Sequence, residues 1–427
     1  MAGNVTREDY ATLIAAERED GNFAGQLYHD QSVFGFEQHA FSDLWHYCCP
    51  QNELVEEGAF REFEAFGQSL IVWNTGGAIR AFANICRHRG APILNQDARG
   101  KGSKLTCPYH AWCYGPRGAL QTAPTFDFGE RERSEHGLVE FPVLIVSGVV
   151  FVALQEKGGA DVARIDGVCA KLWSYHGLES SQVAASRVFD VAANWKLVVE
   201  NFLECYHCLP NHPHLSSVCD HTKISATDGE EERKEYGKFF GQWIARARKL
   251  GTPVTTRQQL QIDDAQFAVC YRCAIKSGFD TLTQDGSPVA PLMGQFPDYD
   301  GGETFGYVGP FLHFSLANDH AIMIRVNPVS SEATQVVVEW LVDAIIDVAA
   351  RIDVERLTWL WGNTVAQDVE LVERAQTNVK SPAFRPGPYS PLEGDLAAFK
   401  QWYLARVRNG PISLTHDTNN QLLQTHA

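Results

Sequence analysis

The chain has 427 residues, and with 44% hydrophobic and 21% charged residues it contains ample material for a buried core. Its 36 basic and 52 acidic side chains give a net charge of −16, which argues against binding to duplex nucleic acid or to an anionic membrane. The longest uncharged apolar stretch, residues 141–154, is too short to span a bilayer. Eleven cysteines, with no apolar signal-peptide core at the N-terminus, indicate reduced thiols in the cytoplasm, some of them binding metal, and argue against a disulfide framework.

Short β-type runs follow an N-terminal helical segment. Within the first 44 residues, Thr6 and Asp9 can cap a helix over 10–18, and the residues after it predict an extended arm. From about residue 45 to 154, glycine turns separate short apolar runs, which predicts a small all-β module. Its clearest signals are a hairpin of 69–73 with 78–85 around the turn 74–77, and a strand pair of 141–146 with 149–154.

Helical and extended patterns alternate in the rest of the chain, which predicts an α+β domain. The predicted helices are 193–206, which stops before Pro210, the charged segment 230–250 with Phe239, Phe240 and Trp243 on one face, and a long helix over 351–377. The predicted strands are 311–316, 321–326 and 335–341, the last buried on both faces. Cys270 and Cys273 are predicted to be buried thiols in a further strand, and the cysteines outside the Cys–His motifs below to be structural.

Two short Cys–His pairs lie in the β module. Cys86-Arg-His88 is followed after eighteen residues by Cys107-Pro-Tyr-His110, so two loops offer two thiolates and two imidazoles. A structural zinc site could use the same four ligands. A Rieske [2Fe–2S] cluster needs two thiolates on one iron and two imidazoles on the other, and each pair supplies one ligand to each iron. The spacing therefore predicts a metal site that suits either metal.

A second metal pattern lies in the α+β part of the chain. Asn201, Glu204 and His207 are three residues apart and are predicted to share one face of a helix. Pro210 should end that helix, which places His212 in the turn beyond it. Two such histidines can bind one metal from adjacent directions, and a carboxylate from elsewhere would complete the facial triad of a non-haem iron(II) site. Spacing does not identify that carboxylate among 52 acidic residues.

The residues around the two Cys–His pairs resemble the cluster loops of Rieske oxygenase domains. The loops read Cys86-Arg-His-Arg-Gly90 and Cys107-Pro-Tyr-His-Ala-Trp112. With the second metal pattern, the chain from Trp45 to the C-terminal region resembles the α subunit of Rieske non-haem iron oxygenases. The resemblance implies an α+β protein with an N-terminal helical arm over 1–44 that packs on the catalytic domain, an all-β Rieske [2Fe–2S] domain over 45–158, and a helix-grip, START-like catalytic domain with a central antiparallel sheet over 159–427.

The resemblance also implies a ligand set for each metal. The ligands of the [2Fe–2S] cluster would be Cys86, His88, Cys107 and His110. The ligands of a mononuclear Fe(II) would be His207, His212 and Asp368, the last from the late helical segment 367–376, with Glu370 and Glu373 as alternatives. His214 and His221 lack the family spacing and are predicted to be surface or supporting residues.

Glu204 would act as an electron bridge between subunits. The resemblance implies that it links His110 of an adjacent chain to His207 within a homotrimer, and that Asn201 supports the iron ligands. Ring-dihydroxylating members usually have aspartate here. The longer acid, the run from Glu200 to His207 and the tail Pro386-Gly-Pro-Tyr-Ser390 resemble the branch that contains carnitine, choline and glycine betaine monooxygenases.

The implied activity is that of a terminal oxygenase, which activates O2 at Fe(II) to hydroxylate or oxidatively N-demethylate a small quaternary amine. Ring hydroxylation or O-demethylation of an aromatic acid is the alternative, and a zinc-stabilised binding module without redox chemistry is a third. The chain has no dinucleotide-binding fingerprint and no plant-type ferredoxin spacing. It therefore should depend on a separate NAD(P)H-dependent flavin and iron–sulfur reductase.

Overall fold

The computed structural model describes residues 6–155, 165–222, 229–255, 258–259 and 267–409. The helices, numbered α1 to α11 in chain order, are Arg7–Ala16, Gln31–Ala40, Glu130–Glu135, Lys171–Tyr175, Trp195–Phe202, Cys208–Asn211, Pro213–Val218, Glu230–Leu250, Val348–Arg351, Val354–Val379 and Gly394–Asn409. Strands β1 to β9 are Trp45–Pro50, Ala59–Ala65, Gln68–Asn74, Ile79–Ala83, Arg99–Lys101, Leu105–Thr106, Cys113–Tyr114, Leu120–Thr122 and Glu140–Phe141. Strands β10 to β18 are Val143–Val146, Val149–Ala153, Ser181–Val191, Gln258–Gln259, Ala268–Ala274, Gly302–Val308, Leu312–Leu316, Ala321–Ser330 and Ala333–Asp343. Within these ranges, no helix combines the length and the apolar character needed to cross a bilayer.

The N-terminal segment is helical over more of its length than the sequence predicts. Thr6 and Asp9 form the predicted capping box of α1. The predicted extended arm is wrong, because Asp30 caps a second helix, α2, by accepting hydrogen bonds from two backbone amides of its first turn. Buried Glu37 of α2 then accepts hydrogen bonds from Lys196 and Trp195 of α5, at 2.6 and 2.8 Å. These contacts attach the N-terminal segment to the helix that precedes the second metal pattern.

Small antiparallel sheets form the β module. One has the order β5-β2-β3-β4-β9, a second β6-β7-β8, and β1 joins β10 and β11 in a third. The predicted hairpin and the predicted strand pair are confirmed as β3 with β4 and β10 with β11. Trp73, Phe82 and Tyr114 fill a small core that also contains Cys86 and Cys107. The same core therefore fixes both predicted cluster loops.

A seven-stranded antiparallel sheet has the order β12-β18-β17-β16-β15-β14-β13. The three strands predicted between 311 and 341 are confirmed as β16, β17 and β18, and β18 is largely buried. The long helix α10 packs on this sheet through residues such as Leu357 and Val365, which share one core with Val336 of β18. The α+β fold class with a central antiparallel sheet is confirmed. The predicted boundary between residues 158 and 159 lies outside the described residues, and the division into 1–44, 45–158 and 159–427 stays a prediction.

The helix over 193–206 ends earlier than predicted. It stops at Phe202, and a separate short helix, α6, contains Pro210. The break follows from Glu204, whose carboxylate accepts hydrogen bonds from the amides of Tyr206 and His207 and so competes with the helical backbone. Pro210 lies in the first turn of α6, where its missing N–H has no helical partner to lose. The residues of the second metal pattern therefore do not share one helix face, and a turn between two helices brings them together.

One pair of cysteines departs from the expectation of free thiols. Cys205 and Cys208 form a disulfide across this turn, with their Cα atoms 4.8 Å apart. The expectation is therefore wrong for these two, because the turn between α5 and α6 folds the chain back within a C-x-x-C. The other nine cysteines are free and buried, and Cys270 and Cys273 lie in β14 as predicted.

Candidate metal centres and active-site cavity

Two matching turns hold the predicted cluster cysteines. Cys86 and Cys107 are each 2% exposed and share a small core with Trp112. The amide of Gly90 donates to the carbonyl of Cys86, and the amide of Ala111 donates to the carbonyl of Cys107. Both donors have positive φ, 72° and 57°, which closes each loop within five residues. The two Cys–His pairs therefore adopt the same local geometry and can approach one metal group from two sides.

The two sulfurs lie together and receive hydrogen bonds. Burial raises the pKa of the Cys107 thiol. The amides of Tyr109 and His110 lower it because they hydrogen-bond to the sulfur. The thiol of Cys86 also lies within hydrogen-bonding contact of the Cys107 sulfur. The Tyr114 hydroxyl lies 3.4 Å from Cys86 Sγ. Donors aimed at thiolates stabilise added negative charge and so tune an iron–sulfur cluster. The sulfur side of the site fits a [2Fe–2S] group.

The two predicted imidazole ligands lie side by side at the surface. The rings of His88 and His110 are 4.5 Å apart between centroids, and Trp112 stacks on His88. Nδ1 of His88 is buried and has no hydrogen-bond partner among the described residues, as expected for a nitrogen that binds metal. His110 is exposed. Two paired sulfurs and two paired imidazoles fit a Rieske cluster.

The donor atoms of the three predicted iron ligands lie close together. Nε2 of His207 lies 3.1 Å from Nε2 of His212, and the two nitrogens lie 3.3 and 2.9 Å from Oδ1 of Asp368. Ligands that bind one metal at about 2.1 Å and at right angles to each other lie about 3.0 Å apart. These donor atoms therefore have the spacing of three adjacent vertices of an octahedron, as a facial triad requires.

Neighbouring side chains fix the tautomers of both histidines. Nδ1 of His207 donates to the carboxylate of Glu204 at 2.5 Å, and Nδ1 of His212 donates to Oε1 of Gln367 at 2.9 Å. With the proton on Nδ1, each Nε2 presents its lone pair to the centre of the triad. Nδ2 of Asn201 lies 3.1 Å from Nε2 of His207, beside the position that a metal would take, and the supporting role of Asn201 stays a prediction.

The triad is electrostatically suited to a cation. Burial alone would lower the pKa of His207, but its hydrogen bonds to Asp368 and Glu204 outweigh burial and raise the pKa to about 9. The carboxylates thus hold positive charge at this point, and a divalent metal would take the place of the proton. Asp368 is 5% exposed, so little solvent screens it.

The alternative carboxylates lie away from the triad. Glu370 is exposed and pairs with Arg374 one turn along α10. Glu373 accepts a hydrogen bond from the amide of Ala192. Their positions leave Asp368 as the carboxylate of α10 that lies beside both histidines.

A cavity of about 160 Å³ opens beside the triad. Its aromatic lining residues are Phe202, Tyr271, Phe305 and Trp361. The volume is below the roughly 300 Å³ at which pockets for drug-sized ligands begin, so the cavity suits a small molecule. Within the described ranges its lining includes no lysine or arginine.

Several residues of this cavity were not predicted. His214 contacts Trp359. His221, which was expected at the surface or in a supporting position, lines the cavity together with Cys219 and Glu303. Gln367 directly precedes Asp368, so the motif could have indicated it. Glu303 has no such signal, because it lies in a strand whose residues give no readable spacing.

Comparison with known proteins identifies the family. Residues 44–130 match the Rieske [2Fe-2S] domain, and residues 178–409 match the ring hydroxylating alpha subunit, in its catalytic domain. The chain belongs to the family of ring-hydroxylating α subunits of Rieske oxygenases, which confirms the resemblance carried by the motifs. It is therefore an oxidoreductase of the class that carries a Rieske [2Fe–2S] cluster and a mononuclear iron, and the residues above fit both groups.

Three similar proteins of this family are monooxygenases named for quaternary ammonium compounds. The chain is 30% identical to the glycine betaine monooxygenase oxygenase subunit of Pseudomonas aeruginosa, over 94% of this chain and 93% of that protein. It is 31% identical to the same subunit of Chromohalobacter salexigens, over 93% and 88%. The quaternary ammonium Rieske monooxygenase CntA, solved with L-carnitine, has the same fold, with a TM-score of 0.67 and 20% identity over 95% of this chain and 99% of that chain. As an oxygenase subunit, the chain works with a separate reductase and a small-molecule substrate.

Proposed function

We propose that the chain is a terminal oxygenase that removes an N-methyl group from a small quaternary-ammonium compound. The observation that carries the proposal is the charge of the cavity beside the triad. Its acidic lining residues are Glu204, Glu303, Asp368 and Asp395. In the part of the chain that the structure describes, the lining includes no lysine or arginine, and its basic side chains are the histidines His207, His212 and His221. The positive charge of an ammonium group is favoured in such a cavity, whereas an aromatic acid brings no positive charge to it. The named activities of the relatives, on glycine betaine and carnitine, support this substrate class.

The chemistry consumes one O2 and two electrons for each methyl group removed. One C–H bond of R–N(CH3)3+ gains an oxygen atom, and the other oxygen atom leaves as water with two protons and two electrons. The hydroxymethyl ammonium product then releases formaldehyde and a proton, and leaves the tertiary amine. Bound iron(II) would supply the activation of O2. His207, His212 and Asp368 would hold the iron, while Glu204 and Gln367 keep both Nε2 lone pairs directed at it.

Electrons would pass between subunits through Glu204. Its carboxylate accepts the Nδ1–H of His207, so it lies on the side of the imidazole ring that faces away from the iron position. Exposed apolar side chains surround both ends of the proposed route: Ile85, Tyr109 and Phe126 beside the cluster, and Tyr206 and Leu209 beside Glu204. If the patch beside the cluster binds the patch beside Glu204 of the next subunit, the subunits join head to tail and can close into a ring. The homotrimer implied by the family would be such a ring.

The electrons would come from NAD(P)H through a reductase that contains flavin and an iron–sulfur centre. This chain supplies the oxygenase part alone, because its sequence has no dinucleotide-binding fingerprint. Location in the cytoplasm stays a prediction. Membership in the family excludes the alternative function of a zinc-stabilised binding module. The acidic cavity disfavours an aromatic acid as substrate.

The test is an oxygen-uptake screen with purified, iron-loaded protein and a surrogate reductase. Glycine betaine, stachydrine, carnitine and benzoates are compared at equal concentration. The proposal expects oxygen uptake and formaldehyde with at least one quaternary amine. Stimulation by a benzoate, with no formaldehyde from any of the methylated amines, would contradict it.

A further inference from the structure

Glu303 is a buried carboxylate in the same cavity as the predicted iron ligands. It is the second residue of β15, and side chains alternate between the two faces of a strand, so Glu303 and Phe305 lie on one face. Tyr271 of β14 pairs with Phe305 in the sheet, and all three residues line the cavity. Glu303 is 1% exposed. One wall of the cavity therefore combines a negative charge with two aromatic rings.

Two other carboxylates of this protein are fully buried against a basic partner. Asp300 pairs with Arg272 at 2.8 Å, and Glu37 pairs with Lys196 at 2.6 Å, with all four side chains fully buried. Such pairing offsets the large cost of removing a charge from water. Glu62 is buried as well and accepts hydrogen bonds from the hydroxyl of Ser69 and the amide of Asp97, so the fold also buries a carboxylate on neutral donors. Glu303 differs from all three because it lines the cavity.

Glu303 has neutral donors in place of a lysine or arginine, within the residues that the structure describes. Its Oε2 accepts a hydrogen bond from Ser315 at 2.7 Å. Its Oε1 lies 3.8 Å from Cys273 Sγ and 3.4 Å from Nδ1 of His221. Burial, and after it the charge of Glu303, raises the pKa of the Cys273 and Cys219 thiols, so both stay neutral. Among the residues that the structure describes, His221 is the side chain beside Glu303 that could supply a countercharge, and the distance from its Nδ1 is longer than a normal hydrogen bond.

We propose that Glu303 binds the ammonium group of the substrate, with the rings of Tyr271 and Phe305 beside it. A quaternary ammonium has no N–H to donate, so a protein recognises it by charge and by aromatic faces. This wall supplies both. The cavity of about 160 Å³ holds one small molecule, so the group bound at Glu303 belongs to the molecule that lies beside the triad. The inference rests on the proposed function and names the residue that selects its substrate class.

A metal is the competing occupant of this wall. Cys219, His221 and Glu303 each offer one ligand atom, and these atoms lie within 4.8 Å of one another. Zinc that survives dialysis of the iron-loaded enzyme, and that is lost in Cys219→Ala, would overturn the substrate role.

The test is calorimetric binding to the iron-loaded holoenzyme. The probes are tetramethylammonium, glycine betaine and 3,3-dimethylbutanoate, which has the shape of glycine betaine with carbon in place of nitrogen. The unmodified enzyme should bind both ammonium compounds and should bind the analogue, a carboxylate anion that lacks the ammonium charge, at least about tenfold more weakly, which is about 1.4 kcal/mol. Glu303→Gln keeps the acceptor for Ser315, and it should weaken the binding of both ammonium compounds at least about tenfold without weakening the binding of the analogue. Glu303→Asp should restore part of the preference.

A carboxylate outside the cavity gives the matched control. Glu370 is exposed and pairs with Arg374 on α10, so Glu370→Gln should change the affinity for tetramethylammonium less than about threefold. An equal effect of both variants, no binding of tetramethylammonium by the unmodified enzyme, or full binding by Glu303→Gln would each overturn the role of Glu303. Glycine betaine turnover separates the two proposals: if the unmodified enzyme demethylates no quaternary amine, the proposed function fails, whereas turnover with full cation binding by Glu303→Gln refutes the role of Glu303 alone.

Discussion

Replacing Glu204 by glutamine separates electron transfer from iron binding. The amide of glutamine can still accept the Nδ1–H of His207, which Glu204 now accepts at 2.5 Å. A hydrogen bond to a charged group contributes about 1 kcal/mol more than one between neutral groups, so the affinity for iron should fall only about fivefold. Loss of the ionised bridge, in contrast, should slow turnover by about two orders of magnitude.

The assay follows the reduced cluster after it is mixed with O2 and glycine betaine. In the unmodified protein the cluster should reoxidise rapidly, because its electron reaches the iron site of the neighbouring subunit. In Glu204→Gln the cluster should stay reduced, while iron content and the cluster spectrum stay close to those of the unmodified protein. Glu370→Gln is the matched control, since Glu370 is exposed on α10, and it should behave as the unmodified protein. Normal reoxidation and turnover in Glu204→Gln would refute the assigned route.

Three further predictions concern the iron ligand, the cluster and a buried acid. Asp368→Ala should lose mononuclear iron and keep the cluster spectrum, as measured by metal analysis, and retention of both would move the ligand to Glu370 or Glu373. Tyr114→Phe removes the hydroxyl that lies 3.4 Å from Cys86 Sγ. The cluster potential, measured by voltammetry, should fall by about 40 mV, which is equivalent to one hydrogen bond of about 1 kcal/mol. An unchanged potential would show that Tyr114 does not tune the cluster. Burial raises the pKa of Glu200 from 4.5 to about 7, so its contribution to stability is complete below pH 4.5 and is lost as the pH rises through 7, a change of about 3 kcal/mol. Glu200→Gln lacks this dependence, so its thermal midpoint should gain on that of the unmodified protein between pH 5 and 8, and parallel curves would contradict the assignment.

The sequence predicts the metal loops well because each depends on local chemistry. The spacing of Cys86, His88, Cys107 and His110 is set within two short turns, and the structure closes both turns in the same way. Strands and helices with continuous apolar patterns, such as β16 and α10, are also recovered. Asp368 is different, because it lies 161 residues after His207 and no local pattern connects them, so only the resemblance to a family assigned it.

The predictions that failed concern side chains that compete with the backbone or act over long distances. Asp30 caps α2, and Glu204 ends α5 early, in both cases because a carboxylate accepts backbone amides. The disulfide between Cys205 and Cys208 follows from the turn that Glu204 creates. Glu303 was missed because β15 has buried polar residues on both faces, so its alternation does not show which face lines a cavity.

Paramagnetic resonance of the reduced protein, before and after addition of nitric oxide, tests the two metal centres and the substrate cavity together. We predict the signal of a reduced Rieske cluster and, with nitric oxide, the signal of a mononuclear iron nitrosyl that changes when glycine betaine is added. A colourless protein that contains stoichiometric zinc and gives neither signal would contradict the account.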